Sequence, residues 1–203
     1  MILSWKAPTY YSEKLIGSYD AESGSYETAG SNFKYLSLRA GKPYPPDMDK
    51  PRIFFPCNKK KLLTYDCLWL LGGVPLLSSR LADFLIQHAN QDIELLTPAS
   101  IIAGGEDVNE AYYVMNAVQA ISAVDHSKSV AERADDGSIL YFTKTWFQDS
   151  PTGMRAIARE CDSGDLLISQ ELADAMIERK FKGDKGLGFY NAERSFTPYK
   201  NQA

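Results

Sequence analysis

The apolar and polar positions keep a regular period in only part of the chain, and the first sixty residues are the least regular. Gly17 to Asn32 is rich in Gly, Ser, Tyr and acidic residues with no period, which reads as a surface loop. Phe33-Lys34-Tyr35-Leu36-Ser37-Leu38 alternates and predicts a strand. Gly41 to Pro51 carries Pro43, Pro45, Pro46 and Pro51. Proline has no N–H to give to a ladder, so an extended connector is expected there. Arg52-Ile53-Phe54-Phe55 then predicts a short strand ended by Pro56.

Order increases from Leu62. Leu62 to Leu71 is apolar, and its period fits a strand or a turn of helix equally well. Gly72-Gly73 ends it, and Val74-Pro75-Leu76-Leu77 is extended. Ser78 is a candidate N-cap, because its hydroxyl can accept from an early helical N–H. A helix is predicted from Ser79 to His88, with Leu81, Phe84 and Leu85 at i, i+3 and i+4 as its inner stripe. Asp92 to Leu96 reads as a return strand before Pro98. Gly104-Gly105-Glu106-Asp107 reads as a turn. Across Tyr112 to Val124 the Ala content allows a helix, but Tyr112-Tyr113-Val114 favours a strand, which is the main expectation. Asp135-Asp136-Gly137 predicts a turn before a strand from Ser138 to Phe147. Met154 to Arg159 predicts another, with Met154, Ala156 and Ala158 on one face.

The last unit repeats the earlier one. Ser163-Gly164-Asp165 is a turn, Leu166-Leu167-Ile168 a strand and Ser169 a cap. A helix is predicted from Gln170 to Lys180, with Leu172, Ala175 and Met176 inward. Gly183-Asp184-Lys185-Gly186 turns the chain into a strand at Leu187-Gly188-Phe189-Tyr190. The fold class expected is therefore α+β and sheet-rich, with two short strand–Ser–helix–strand units that point to two similar lobes. A solenoid would need at least three units. The expected organisation is an irregular and strand-containing N-terminal region over 1–61, an α+β domain over 62–193 and a polar, frayed tail over 194–203.

Composition narrows the function class. The length of 203 residues suits one domain or two small packed lobes. A net charge of −4 argues against a nucleic-acid partner, since phosphate contacts need clustered Lys and Arg. The basic run Lys59-Lys60-Lys61, beside Asn58, reads as a solvated turn. Cys57, Cys67 and Cys161 are odd in number and lack CxxC spacing, so neither a disulfide framework nor a zinc knuckle is indicated. Met1 to Pro8 lacks the basic and long apolar regions of a signal peptide, and no stretch reaches the roughly 18 apolar residues that span a bilayer. The expectation is a cytoplasmic protein with no membrane partner.

Catalytic motifs are lacking: there is no GxxxxGK[ST], HExxH or GxSxG. The Gly183 to Gly188 cluster follows a helix instead of opening one, which is the wrong place to cradle phosphate. Cys67 sits in an apolar run, and His88 ends a helix. Asp125-His126-Ser127 has triad residue types, but triads are assembled from separated positions. No metal, cofactor or catalytic residue is assigned. The acidic residues Glu106, Asp107 and Glu110, and then Asp135 and Asp136, read first as solvated turns. As a functional surface they would form an acidic face for a basic protein partner.

The second half of the chain resembles a family of bacterial immunity proteins, the eleventh in the catalogue of immunity to polymorphic toxins. The resemblance is carried by Pro75-Leu76-Leu77-Ser78-Ser79-Arg80-Leu81 and by Tyr112-Tyr113-Val114-Met115-Asn116-Ala117-Val118, which runs on to Asp125-His126-Ser127-Lys128-Ser129. It is also carried by Leu166-Leu167-Ile168-Ser169-Gln170-Glu171-Leu172 and by the closing Lys182-Gly183 to Gly188-Phe189. It implies an immunity-like domain over 62–193, without catalysis, that blocks a cognate toxin encoded nearby by direct binding in the cytoplasm. The family has no motif naming a toxin-contacting residue, so none is carried over. Two other readings stand beside it: a small Cys- or His-dependent hydrolase or transferase, and an adaptor of a secretion system.

Overall fold

The computed structural model describes residues 1–20, 26, 30–191 and 199. The chain opens with β1 (Ile2–Trp5), passes a 3₁₀ turn at Glu13–Leu15, and enters the short β2 (Ile16–Gly17). A second 3₁₀ turn at Tyr35–Arg39 precedes β3 (Arg52–Phe55), the one-turn helix α1 (Lys59–Leu62), and the hairpin of β4 (Cys67–Leu70) and β5 (Val74–Ser78). Helix α2 (Ser79–Ala89) follows, then β6 (Ile93–Leu96), the hairpin β7 (Ser100–Ala103) and β8 (Glu106–Asp107), β9 (Tyr112–Ala117) and β10 (Ala120–Ile121). The hairpin β11 (Val130–Arg133) and β12 (Ile139–Lys144) leads to β13 (Ile157–Glu160), β14 (Leu166–Ser169), α3 (Gln170–Glu178) and β15 (Phe189–Asn191). The fold is α+β and sheet-rich.

The strands form two five-stranded sheets, ordered β2-β4-β5-β9-β6 and β10-β13-β14-β1-β15. Their senses match pair by pair. The first pair in each is parallel (β2 with β4, β10 with β13), and the other three are antiparallel. In each, a hairpin feeds a Ser-capped helix, and the return strand is parted from the hairpin by one inserted strand. That strand is β9 in the first sheet and the N-terminal β1 in the second. The predicted return strands therefore form, but not beside the strands that launch them.

Alternation along each strand divides the core. Cys67 and Trp69 of β4, Leu77 of β5, Met115 of β9, Ile157 of β13, Ile168 of β14 and Leu3 and Trp5 of β1 point into one cluster with the inner stripes of α2 and α3. Their neighbours Leu68, Leu70, Leu76 and Val114 face a second cluster covered by the sheet β3-β7-β8. Ile2, Ala158 and Leu167 face a smaller third cluster with Val124 and Phe147. Both helix caps form as the sequence predicts: Ser78 accepts from Leu81 N–H and Ser169 from Leu172 N–H. Gly188 shows why glycine closes the second sheet. It has φ of +89°, and a Cβ there would collide with Lys6 O.

Several expectations need correction. Residues 33–38 are not a strand: Tyr35–Arg39 is a 3₁₀ turn that buries Leu38 and half-buries Tyr35 while Leu36 faces water. Positions i and i+3 eclipse in that geometry, so Tyr35 and Leu38 turn inward with a period of three, not the period of two that alternation suggests. The predicted loop from Gly17 begins in a strand, with Ser18 bridged to Phe54 and Tyr19 buried, while 21–25 and 27–29 lie outside the described residues. The lysine run is α1, capped by Asn58, so Leu62 to Leu71 divides into a helix end and β4. Glu106–Asp107 leaves the Gly104-Gly105 turn as a strand. The predicted strand at Met154 starts at Ile157 and buries all four residues. Ala175 is only partly buried, and Ala173 joins Leu172 and Met176 instead. The predicted tail lies outside the described residues except for Tyr199. Two strands that precede residue 61 join the large sheets: β1 lies between β14 and β15 in one, and β2 edges the other.

Candidate functional site

The five acidic residues lie on two separate elements. Glu110 Oε2 lies 3.0 Å from Lys59 Nζ, which also donates to Asp107 O at 3.1 Å. The Lys59 hydrogen bond holds the Glu110 carboxyl below the usual carboxylate range. Asp107 and Glu110 line a cleft of about 380 Å³ between β7 and β9, with Glu106 on the exposed β8. Asp135 and Asp136 occupy the tip of the β11–β12 hairpin instead. Asp136 accepts from Ser138 N at 2.9 Å and Oγ at 2.6 Å, and these bonds hold its carboxyl low. No hydrogen bond or ion pair joins the two groups among the described residues.

The hairpin carrying Asp135 and Asp136 is a two-stranded ribbon outside both large sheets. Val130, Leu140 and Tyr141 are 53%, 62% and 59% exposed there, although strand formation normally serves to bury such side chains. Two shifts of register twist the ribbon. At its base, Phe142 packs on the third core cluster, and Ser129 Oγ accepts from Trp146 N at 2.9 Å. His126 Nε2 stands 3.0 Å from Asp162 Oδ2 and ties the ribbon's root to the β13–β14 turn. The ribbon is thus held at its root, where Val130 is exposed, and presents Leu140, Tyr141 and an acidic tip farther out. Sequence reading identified the strand and its turn but missed this exposure. The polar Thr143 and Lys144, with the charged Glu132 and Arg133 shortly before the turn, are signals of it in the sequence.

Beneath the ribbon is a polar cleft of about 310 Å³ lined by Lys6, Tyr141, Asp162, Ser163 and Asp165. Burial lowers the Lys6 ammonium, and Asp165 opposes that shift; burial raises Asp165 itself. Two charged residues that look functional are structural. Glu160 is buried and accepts from four backbone N–H groups, those of Ala123, Val124, Asp162 and Ser163. Arg159 is also buried, and burial followed by repulsion from Arg39 pushes its guanidinium down to about 10. It donates to the carbonyls of Leu38, Gly73 and Gly164 and so ties the two sheets together.

Cys57 and Cys67 are buried, and burial raises both thiols; Cys161 is exposed. None of the three makes a hydrogen bond to His88 or His126 among the described residues. His88 stacks on Phe84 with ring centroids 4.1 Å apart, and its Nδ1 lies 2.8 Å from Phe84 O. Among the described residues no three His, Cys, Asp or Glu side chains gather as a metal site would require, and no helix is long and apolar enough to cross a membrane.

A further cleft, of about 590 Å³, lies between the end of α2 and the start of α3. Arg155 Nε stands 2.7 Å from Asp92 Oδ1 at its edge, off the direction of a hydrogen bond, so that contact is an ion pair. Asp92 Oδ2 accepts from Ala156 N and Ile157 N at 2.8 and 3.1 Å. Compared with known proteins, the chain matches no family model and no curated protein sequence.

Proposed function

We propose that this protein is an immunity protein that binds a cognate toxin domain in the cytoplasm and neutralises it by occlusion. The observation that carries the reading is the β11–β12 ribbon, anchored at its root and exposing Val130, Leu140 and Tyr141 behind the acidic tip of Asp135 and Asp136. A few residues supply most of the affinity at protein interfaces, and tyrosine is prominent among them, as at Tyr141. The acidic tip would steer a basic partner and raise its association rate. The resemblance to immunity proteins supplies the class of partner.

The hydrolase reading rests on one specific observation. Exposed Cys161 adjoins Asp162, which is ion-paired with His126. A thiol nucleophile needs its base within hydrogen-bond reach, and Cys161 makes no such bond to His126.

The test is protection of cells expressing the toxin domain encoded beside this gene. The double variant Leu140→Ser, Tyr141→Ser changes exposed positions and should fold normally, yet lose protection. Full protection by that variant would remove the ribbon from the interface. Failure of the unaltered chain to protect would reject the immunity reading.

A further inference from the structure

The two Ser-capped helices are equivalent by strand order and register, and this equivalence exposes a difference in how their ends are filled. Six positions after each cap stand Phe84 in α2 and Ala175 in α3. Beyond each helix, one residue docks on the strand that opens the hairpin of the other sheet. After α3 it is Lys182, whose N–H donates to Asp66 Oδ2 at 2.8 Å and whose carbonyl accepts from Cys67 N. After α2 it is Asp92, whose carboxylate accepts from Ala156 N and Ile157 N. The residues just before these two are Phe181 and Gln91.

On the α3 side the space is full. Phe181 packs on Phe84 with ring centroids 5.1 Å apart, and the Arg80 guanidinium covers Phe181 at 4.3 Å. On the α2 side both aromatic positions are vacated, by Gln91 and Ala175, and the cleft of about 590 Å³ lies there. Its size falls within the roughly 300–1,000 Å³ of ligand-binding clefts. Ala89, Ala156, Leu172 and Ala175 make its apolar lining. Arg155 edges it, with the guanidinium held by Gln91 and Asp92. Glu171 also lines it, is exposed, and has no ion pair among the described residues.

We infer that this cleft seats an aromatic side chain of a protein partner, followed by a basic residue that meets Glu171. The chain's own Phe181 is the pattern for the ring: an aromatic group packed against the helix and covered by Arg80, two positions after Ser78, and since the position two after Ser169 is Glu171, the cation here must come from the partner. Asp92 and Arg155 neutralise each other, so the charge left for a partner to match is the Glu171 carboxylate. This inference rests on the reading of the chain as a protein-binding module and adds a second contact, away from the ribbon.

The test titrates acetyl-Phe-Arg-amide into the full chain and follows the methyl resonances of Ala89, Ala156 and Leu172. Saturable shifts confined to those methyls are expected, weaker with acetyl-Phe-Glu-amide and absent with acetyl-Ala-Arg-amide. Ala175→Phe restores the ring found in α2 and should abolish the shifts in a chain whose melting temperature shows it folded. Glu171→Lys lies at an exposed position and should erase the preference for Arg over Glu in the peptide. Absence of shifts in the unaltered chain would overturn the inference. So would equal shifts with the Ala peptide, or a preference unchanged in Glu171→Lys. The peptides test the cleft without any toxin, so a chain that binds them and fails to protect cells would sink the immunity reading and leave the cleft standing.

Discussion

At the scale of single residues, the buried carboxylates hold segments together where the sequence suggested only surface charge. Asp66 accepts from Arg80 Nη2 at 2.6 Å, Ser78 Oγ at 2.8 Å and Lys182 N at 2.8 Å. Burial by itself would raise its carboxyl, but the bonds from Arg80, Lys182 and Ser78 outweigh burial and hold it below the ordinary value. A carboxylate depressed in the folded state stabilises fully above its unfolded value of about 3.9, and the contribution is lost as pH falls through the lower folded value. Asp66→Asn should therefore cost about 2 kcal/mol at neutral pH, discounted for the half-exposed Arg80, and the gap should narrow as pH falls below about 3.9. Urea melts of both chains across that range check it, and a gap independent of pH would contradict it. The cysteines belong to this scale too. With Cys57 and Cys67 buried and Cys161 exposed, the triple Ser variant should lose some stability and keep full protection. Loss of protection in a folded triple variant would favour the hydrolase.

At the scale of elements, local signals were legible and distant pairings were not. Arg52–Phe55 forms as a strand, and Ser78 and Ser169 cap α2 and α3, because each depends on a few neighbouring residues. Leu81 and Leu172 are fully or almost fully buried, so Leu81→Asp or Leu172→Asp should destabilise by about 3 kcal/mol or more by burying an unpaired carboxylate. Thermal melts matching the parent would contradict both helix placements. Alternation failed at residues 33–38 because it reports which side chains are buried, and a 3₁₀ turn can meet the same demand as a strand. The insertion of β9 between β5 and β6 was invisible, since hairpin reasoning joins consecutive strands. Of the candidate site, the acidic tip was legible from Asp135-Asp136-Gly137. The exposure of Leu140 and Tyr141 was not, because an apolar run in a strand normally marks a buried face.

At the scale of the whole molecule, the N-terminal strand joins what the sequence divides. β1 lies between β14 and β15, with Leu3 and Trp5 buried in the cluster shared by both sheets, and Trp5 Nε1 donates to Leu187 O at 2.9 Å. Trp5→Ala should cost about 3–5 kcal/mol and lower a single cooperative transition. Two separate transitions would show that the sheets melt independently. The acidic groups sit on different elements, β8 with the loop after it and the tip of the β11–β12 hairpin, so each can be varied without the other. Asp135→Lys at the ribbon tip should slow toxin association at low salt more than Asp107→Lys, whose neighbour Glu110 is already paired with Lys59. Stopped-flow kinetics at several salt concentrations decide this, and equal rates for both variants would remove the ribbon's charge from the encounter. The most direct measurement is titration of the purified chain into the proposed cognate toxin domain. Neutralisation by occlusion predicts that toxin activity falls in proportion to a stable complex and vanishes when the toxin is saturated; full toxin activity in the presence of excess folded chain would contradict it.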